Sequence, residues 1–271
     1  MSISNKRLTE VTTTYYLHDQ DGKPVELSRS EGEKDLGVMV DDKVNFDKHI
    51  QQQVNKANSI MGLIRRTYTF LDETSFRYLF QALVRPHLEY AEAVWSPFTK
   101  KDIDTIEKVQ KRATKLIPSL KNMDYPNRLK KLKMPTLQYR RLRGDMIEVY
   151  KIINGIYDHK VVTGFFELSD VEQTRGHNKK LRKLSCKINK RKNYFSNRVI
   201  DVWNNLPQEA VSAKSVKDFE IAIDKHWENQ EMKYNHNANI ELKTGRKRSY
   251  TIIQRDDDKI EADKVVDDQR P

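Results

Sequence analysis

The stretch "EKDLGVMVDDKVNF", residues 33–46, is where the chain changes period, and its reading decides the fold. Before it, "TTTYYLHD" and "PVELS" are rich in Thr, Tyr and Val and flank Asp21-Gly22, a pair suited to a tight hairpin turn. "DLGVMV" continues the strand character. After it, Ile50, Val54, Ala57, Met61 and Ile64 recur at helical spacing, which predicts an amphipathic helix over 46–66. Between the two regimes stands Asp41-Asp42, and adjacent carboxylates at a strand end raise the question of a catalytic metal. Two-metal nucleotidyl transfer needs several carboxylates converging on ions about 3.5–4 Å apart. The acids Asp19, Asp21 and Glu26 ahead of the pair lie in or beside a turn. A structural position ahead of a helix N-terminus is the reading the residues favour.

Downstream the pattern is helical. Asp72 suits the N-cap of a helix whose Phe76, Leu79, Phe80 and Leu83 share a face, and Pro86 ends or kinks it. Leu88, Ala91 and Trp95 continue the apolar face. Thr99 and Asp102 resemble a capping box opening a helix over 100–117, followed by a shorter one from Tyr125 to Leu132. Thr136 caps a long helix that stops at Asn154-Gly155. Residues 156–178 read as irregular, "KLRKLSCKI" as a strand, and "YFSNRVIDVWNNL" and "SVKDFEIAIDKHW" as helices joined at Pro207. Beyond Asn229 the chain reads as a polar, disordered tail. The fold class expected is α+β, predominantly α: a short N-terminal β-hairpin and strand region over 1–45, a helical bundle over 46–155, a small basic mixed domain over 156–229, and the tail over 230–271.

Composition narrows the chemistry. The 271 residues carry a net charge of +11, and the excess is concentrated: "RGHNKKLRKLSCKINKRK", residues 175–192, holds nine cations and no acid. Such segregation favours a polyanionic partner. No run of about 18 apolar residues occurs, so no membrane partner is expected. One cysteine, Cys186, leaves no disulfide and no zinc site of two or more thiolates. No G-x-S-x-G, Gly-rich phosphate loop or H-E-x-x-H occurs, and the scattered histidines His49, His87, His177 and His226 read as surface or hydrogen-bonded core groups, with His236 in the tail. No catalytic residue, metal or cofactor is expected, and the location expected is intracellular, in cytoplasm or nucleus, with "GRKRS" a small basic cluster.

The binding candidates lie on helix faces. Ile106, Val109, Ala113 and Leu116 form one stripe of the 100–117 helix, and Lys108, Lys111, Arg112 and Lys115 form another, a ladder able to track a sugar-phosphate backbone. In the long helix Leu142, Met146, Val149 and Ile153 face inward, while Arg140, Arg141 and Arg143 cluster near its start, against the macrodipole. Phosphate is one use that would explain them, and a solvated face the plainer one. The third group is Arg175, Lys179, Lys180, Arg182, Lys183, Arg191 and Lys192. Trp95, Trp203, Tyr150, Phe165 and Phe166 read as core, and Tyr194-Phe195, just after the basic run, as a site for base stacking.

The segments "EKDLGVMVDDKVNFDKHI", "VNKANSIMGLIRR", "LVRPHLEYAEAVWSP", "IEKVQKRATKLIP", "MPTLQYRRLRGDMIEVYKIINGIYD", "TRGHNKKLRK" and "NYFSNRVIDVWNNLP" resemble, in this order, the C-terminal third of reverse transcriptases of jockey- and CR1-type non-LTR retrotransposons. The resemblance runs from Tyr15 to Trp227. It implies that the family's catalytic aspartates lie upstream of this sequence, that Leu36-Gly37 matches the primer grip, and that the helices are thumb-like and post-thumb elements holding template and primer. Fingers, catalytic palm and endonuclease would be missing, which points to a truncated element copy or a gene model cut from one. The function expected is therefore non-catalytic binding of RNA or RNA–DNA hybrid, the intact family's activity being RNA-directed DNA polymerase. A protein-interaction or self-associating module is the alternative, with exposed apolar surface near Val38, Val40, Ile50 and Val54 as its sign. A chain that completes a separately encoded palm is the third.

Overall fold

A computed structural model describes residues 14–28, 30–169, 176–187 and 189–242. The fold is α+β and mostly helical, with short antiparallel strands at the N-terminal side. Strands β1 (Tyr16–His18) and β2 (Pro24–Glu26) form the expected hairpin, in the register Tyr16↔Glu26. Its turn is tied by the Asp19 carboxylate, which accepts from the Asp21 and Lys23 amides at 3.0 and 2.8 Å. "DLGVMV" is not one strand. It is the turn and second arm of another hairpin, β3 (Gly32–Asp35) with β4 (Val38–Asp41), joined by Leu36 and Gly37. Both joining residues have positive φ, 43° and 88°, the two-residue geometry that follows strand twist. Gly37 bears this readily, whereas Leu36 does not. The Tyr90 hydroxyl donates to the Leu36 carbonyl at 2.8 Å and helps to hold the turn.

Asp41 resolves the opening question locally. Its carboxylate accepts from the amides of Lys43 at 2.9 Å, Asn45 at 3.1 Å and Phe46 at 3.2 Å. Val44 and Phe46 in that turn have φ of 51° and 60°. One buried carboxylate thus fastens a left-handed turn between β4 and helix α1 (Asp47–Thr67). The inner face of α1 is Ile50, Val54, Ala57, Met61 and Ile64, as the periodicity predicts.

Next come α2 (Glu73–Leu79), capped by Asp72 accepting from the Ser75 amide at 2.7 Å, and α3 (Arg85–Glu89). Between them Phe80–Val84 form a π-helical turn. Pro86 supplies the reason: it has no N–H, and its ring would press on the Ala82 carbonyl in a regular helix. The wider turn relieves this and shifts the register. Phe76, Phe80, Val84 and Leu88, four residues apart, are all buried, and Leu83, expected on that face, is exposed.

A short α4 (Glu92–Trp95) leads to α5 (Lys100–Ala113), opened by the Thr99 cap and shorter than expected because Thr114–Leu116 tighten to 3-10 geometry. Helices α6 (Tyr125–Leu132) and α7 (Leu137–Ile153) follow, the latter capped by Thr136, which accepts from the Tyr139 amide at 3.1 Å. The remainder is α8 (His159–Val162), α9 (Asn189–Lys192), α10 (Phe195–Arg198), α11 (Ile200–Trp203), α12 (Gln208–Val211) and α13 (Val216–His226).

Two buried apolar clusters result, and they divide at the start of α7. The first runs from Val38 to Leu137 and the second from Tyr139 to Ile240. Val38, Ile50 and Val54, expected as an exposed face in the interaction-module reading, are buried in the first, with Val40 half-buried against it. The expected strand over "KLRKLSCKI" is a single bridge between Leu168 and Leu181. Residues 230–242 are packed rather than loose. Met232 and Ile240 enter the second cluster, and Thr136 bonds the Met232 and Lys233 carbonyls at 2.8 and 2.9 Å. His236 sits edge-on to Tyr125 and 3.5 Å from Asp104. The remainder of the expected tail lies outside the described residues.

Asp41→Ala removes three backbone acceptances and should lower unfolding free energy by about 1–3 kcal/mol. Asp42→Ala should change it by no more than about 0.5 kcal/mol. Urea titration of both variants checks this, and equal losses would deny Asp41 its distinct structural role.

Candidate nucleic-acid interface

Helix α5 carries the ladder. Ile103, Ile106, Val109 and Ala113 are buried, while Lys108, Lys111, Arg112 and Lys115 are exposed on the other side. Leu116 is only half-buried, since the 3-10 turn hands its place to Ile117 and Leu120.

The packed side of α5 also holds polar groups the sequence reading missed. Glu107 accepts from the Tyr125 hydroxyl at 2.5 Å and from the Leu137 amide at 3.0 Å. Gln110 donates to the Tyr125 hydroxyl and to the Pro135 carbonyl. Burial raises the Glu107 carboxyl above its ordinary range, against the Tyr125 hydrogen bond that lowers it. Arg128 of α6 donates to the Lys111 carbonyl at 3.3 Å and to Thr114 Oγ1 at 2.9 Å, closing the C-terminal end of α5. These contacts fix α6 against α5 and set its exposed Lys130 and Lys133 on the surface. The two lysines are further binding candidates absent from the sequence reading, Lys130 on the polar face of α6 and Lys133 at its C-cap.

The α7 arginines are not a phosphate-facing row. Arg140 makes a bidentate pair with Glu89 of α3, one arm at 2.9 Å. Arg143 pairs with Asp224 of α13 at 2.6 and 2.9 Å and with Glu220 at 3.3 Å. Arg141 is buried, 4 % exposed, and no described protein group bonds either terminal nitrogen. It lines a cavity of about 120 Å³ with Asp145 and Arg198. Burial disfavours its charge, and Glu92, Glu107, Glu89 and Asp145 oppose that effect. The conflict with the macrodipole is met by carboxylates from other elements.

Glu92 is also strongly perturbed. Burial, with Glu89 nearby, pushes its carboxyl up to about 8. Its Oε1 lies where a side chain on Gly144 would begin, so that glycine admits α4 against α7. Asp145, likewise raised by burial, is held by Arg198 at 2.8 and 3.1 Å.

The basic segment after residue 175 is laid against the second cluster by backbone bonds. The Asn204 side chain accepts from the Leu181 amide and donates to its carbonyl, at 2.8 and 2.9 Å. The Trp203 indole donates to the Lys179 carbonyl at 2.8 Å. His177 is buried with its Nε2 2.9 Å from the Trp203 carbonyl, a structural histidine. The segment's missing acids come from elsewhere: Arg182 pairs with Glu167 at 3.3 Å, and Lys183 with Asp201. Lys179 donates to the Asn154 side chain at 2.6 Å. Lys180 is half-buried, while Arg191 and Lys192 are exposed on α9. Arg175 lies outside the described residues.

Leu36 stands at the hairpin tip, 85 % exposed, and Gly37 faces the Tyr90 ring, 3.4 Å from where a Cβ would stand. Among the aromatic candidates Trp95, Trp203 and Tyr150 are buried and Phe166 half-buried. Phe165, read as core, is 45 % exposed, and Tyr194 is 46 % exposed. Among the described residues no His, Cys, Asp and Glu grouping suits a metal ion, and no helix is long and apolar enough to cross a membrane.

No protein-family model and no solved structure matches the chain. It is similar to a protein of Caenorhabditis elegans described as Uncharacterized protein B0403.1, at 28% identity over 126 residues. The match covers 45% of this chain and 64% of that protein, under two thirds of its length.

Because the Glu92 carboxyl titrates near 8 when folded and near 4.5 in its ordinary range, the unfolded chain loses that proton first as pH rises. Its contribution therefore opposes folding increasingly between those two values. Glu92→Gln should gain melting temperature relative to the parent across this window and change little below it. A difference that stays constant with pH would mean Glu92 is ionised throughout.

Proposed function

We propose that the chain binds RNA or RNA–DNA hybrid through phosphates, as a thumb-like grip of the kind the non-LTR reverse transcriptase resemblance implies, without itself polymerising. The observation that carries the reading is α5 with the 3-10 turn that continues it: four exposed cations along one side, Lys108, Lys111 and Arg112 on the helix and Lys115 in the turn, with the other side fixed in the core. A rigid row of this kind meets successive phosphates without ordering its backbone on binding. Lys130 and Lys133 extend the same chemistry on α6, and Arg191 and Lys192 supply a second exposed group. Arg140, Arg141 and Arg143 serve the fold in this reading rather than the ligand.

A second reading has one observation in its favour: Phe70 is 93 % exposed and Leu36 85 %. Apolar side chains so placed suit self-association or docking on a separately encoded palm. Light scattering that rises with protein concentration, together with no affinity for nucleic acid, would bring this reading to the front.

Charge reversal at Lys111, Arg112 and Lys115 together should weaken hybrid binding for every sequence tested. It should also flatten the dependence of log K on log salt by about 2–3. Fluorescence anisotropy at several salt concentrations measures both, and unchanged affinity would remove α5 from the surface.

A further inference from the structure

A second feature departs from phosphate tracking altogether. Phe46 from the turn before α1, Val94 of α4, Ile152 of α7, Phe165 after α8, and Tyr194 and Phe195 at the head of α10 line a cleft of about 410 Å³. That volume falls within the range of sites that hold small flat ligands, roughly 300–1,000 Å³. Phe195 is fixed rather than free: Phe166 meets it edge-on at 5.9 Å, and the Arg198 guanidinium lies over its ring at 5.4 Å. Phe165 and Tyr194 are each nearly half exposed.

The charges around this cleft are arranged by depth. At its edge stands α9, with Arg191 and Lys192 exposed just before Tyr194. Lys190 reaches from the same turn to the Lys43 carbonyl, beside Val44 of the facing wall. In the wall is Glu148, whose carboxylate accepts from Lys151 at 2.8 Å and from the Tyr157 hydroxyl at 2.5 Å. A phosphate is therefore attracted at the rim, whereas the interior, apolar and aromatic with Glu148 neutralised by Lys151, suits an aromatic ring. Nucleotides in a single strand alternate these two chemistries in the same way, and in a duplex the ring is stacked and out of reach.

We infer that this cleft takes an unstacked base of single-stranded RNA, with the flanking phosphates on the Arg191–Lys192 rim. The inference rests on the nucleic-acid reading above and adds a preference for single strands that phosphate contacts alone do not supply. Stacking on an aromatic side chain tolerates any base, so the site discriminates strand state more than sequence.

The test is anisotropy of the full chain with oligoadenylate, with an equally long strand of abasic sites, and with RNA–DNA hybrid. The parent should bind oligoadenylate more tightly than the abasic strand. Tyr194→Ala, alone and with Phe165→Ala, should lose about fivefold or more on oligoadenylate and nothing on the abasic strand or the hybrid. Tyr194→Phe should bind as the parent does, and circular dichroism confirms that each variant is folded. Equal parental affinity for oligoadenylate and abasic strand overturns the cleft and leaves the phosphate reading standing. The same loss on all three ligands also overturns it. A folded parent that binds none of them at low salt overturns both.

Discussion

The long helix α7 belongs to both halves of the molecule, and charge in partly or fully buried surroundings attaches it to each. Arg140 reaches back to Glu89, Arg143 forward to Asp224 and Glu220, and Asp145 takes Arg198. Taking these groups out of water is expensive, and the pairing offsets the penalty only while both partners are present. Removing one partner of the buried Asp145–Arg198 pair should cost about 3–5 kcal/mol because the other charge is stranded, whereas the half-exposed Asp224 end of the Arg143 pair is screened by water. The same arrangement gives direction. An apolar helix could slide or rotate against two clusters, but Arg140 and Arg143 bound to carboxylates of α3 and α13, and Asp145 bound to Arg198 of α10, admit one register.

This constraint also sorts the basic residues. In the sequence the net charge of +11 reads as clusters of cations on helix faces and after residue 175. In the fold it divides into cations that hold elements together and cations that face outward. Arg128, Arg140, Arg143 and Arg198 belong to the first group, using the forked guanidinium to reach carbonyls or carboxylates. The outward group is dominated by lysines: Lys108 and Lys111 on α5, Lys115 in the 3-10 turn that continues it, Lys130 on α6 and Lys133 just after it. A compact, well-hydrated ammonium keeps its water at such a surface, and in the proposed reading it attracts phosphate.

How much of this was legible follows the kind of signal. The stripes of α1 and α5 and the Asp72, Thr99 and Thr136 caps depend on neighbours three or four residues apart, and they read correctly. The face of α2 and α3 did not, because one π turn moves Leu83 out and Val84 in, and no periodicity template contains such a step. The Arg140 cluster was misjudged because its partners, Glu89 and Asp224, stand 51 and 81 residues away. Residues 230–242 looked polar, and their anchorage depends on Met232, Ile240 and backbone carbonyls that accept from Thr136, none of which marks a helix or strand. At the candidate interface the α5 ladder was visible, while the cleft was half visible. Tyr194-Phe195 stood out beside the basic run, but Phe165, Val94 and Phe46 join them only through the tertiary fold.

The division of the buried clusters at α7 has a consequence in time. The buried members of the first cluster all lie at or before Leu137, with Tyr234 and His236 added later at its edge, so it can close while synthesis continues. The inner face of α7, with Tyr139, Met146, Val149 and Tyr150, has to wait for residues 199–240. At about 5–20 residues per second that face stands bare for roughly 5–20 s on the ribosome. During that interval Arg143, still without Asp224 and Glu220, leaves an unpaired charge beside that bare face.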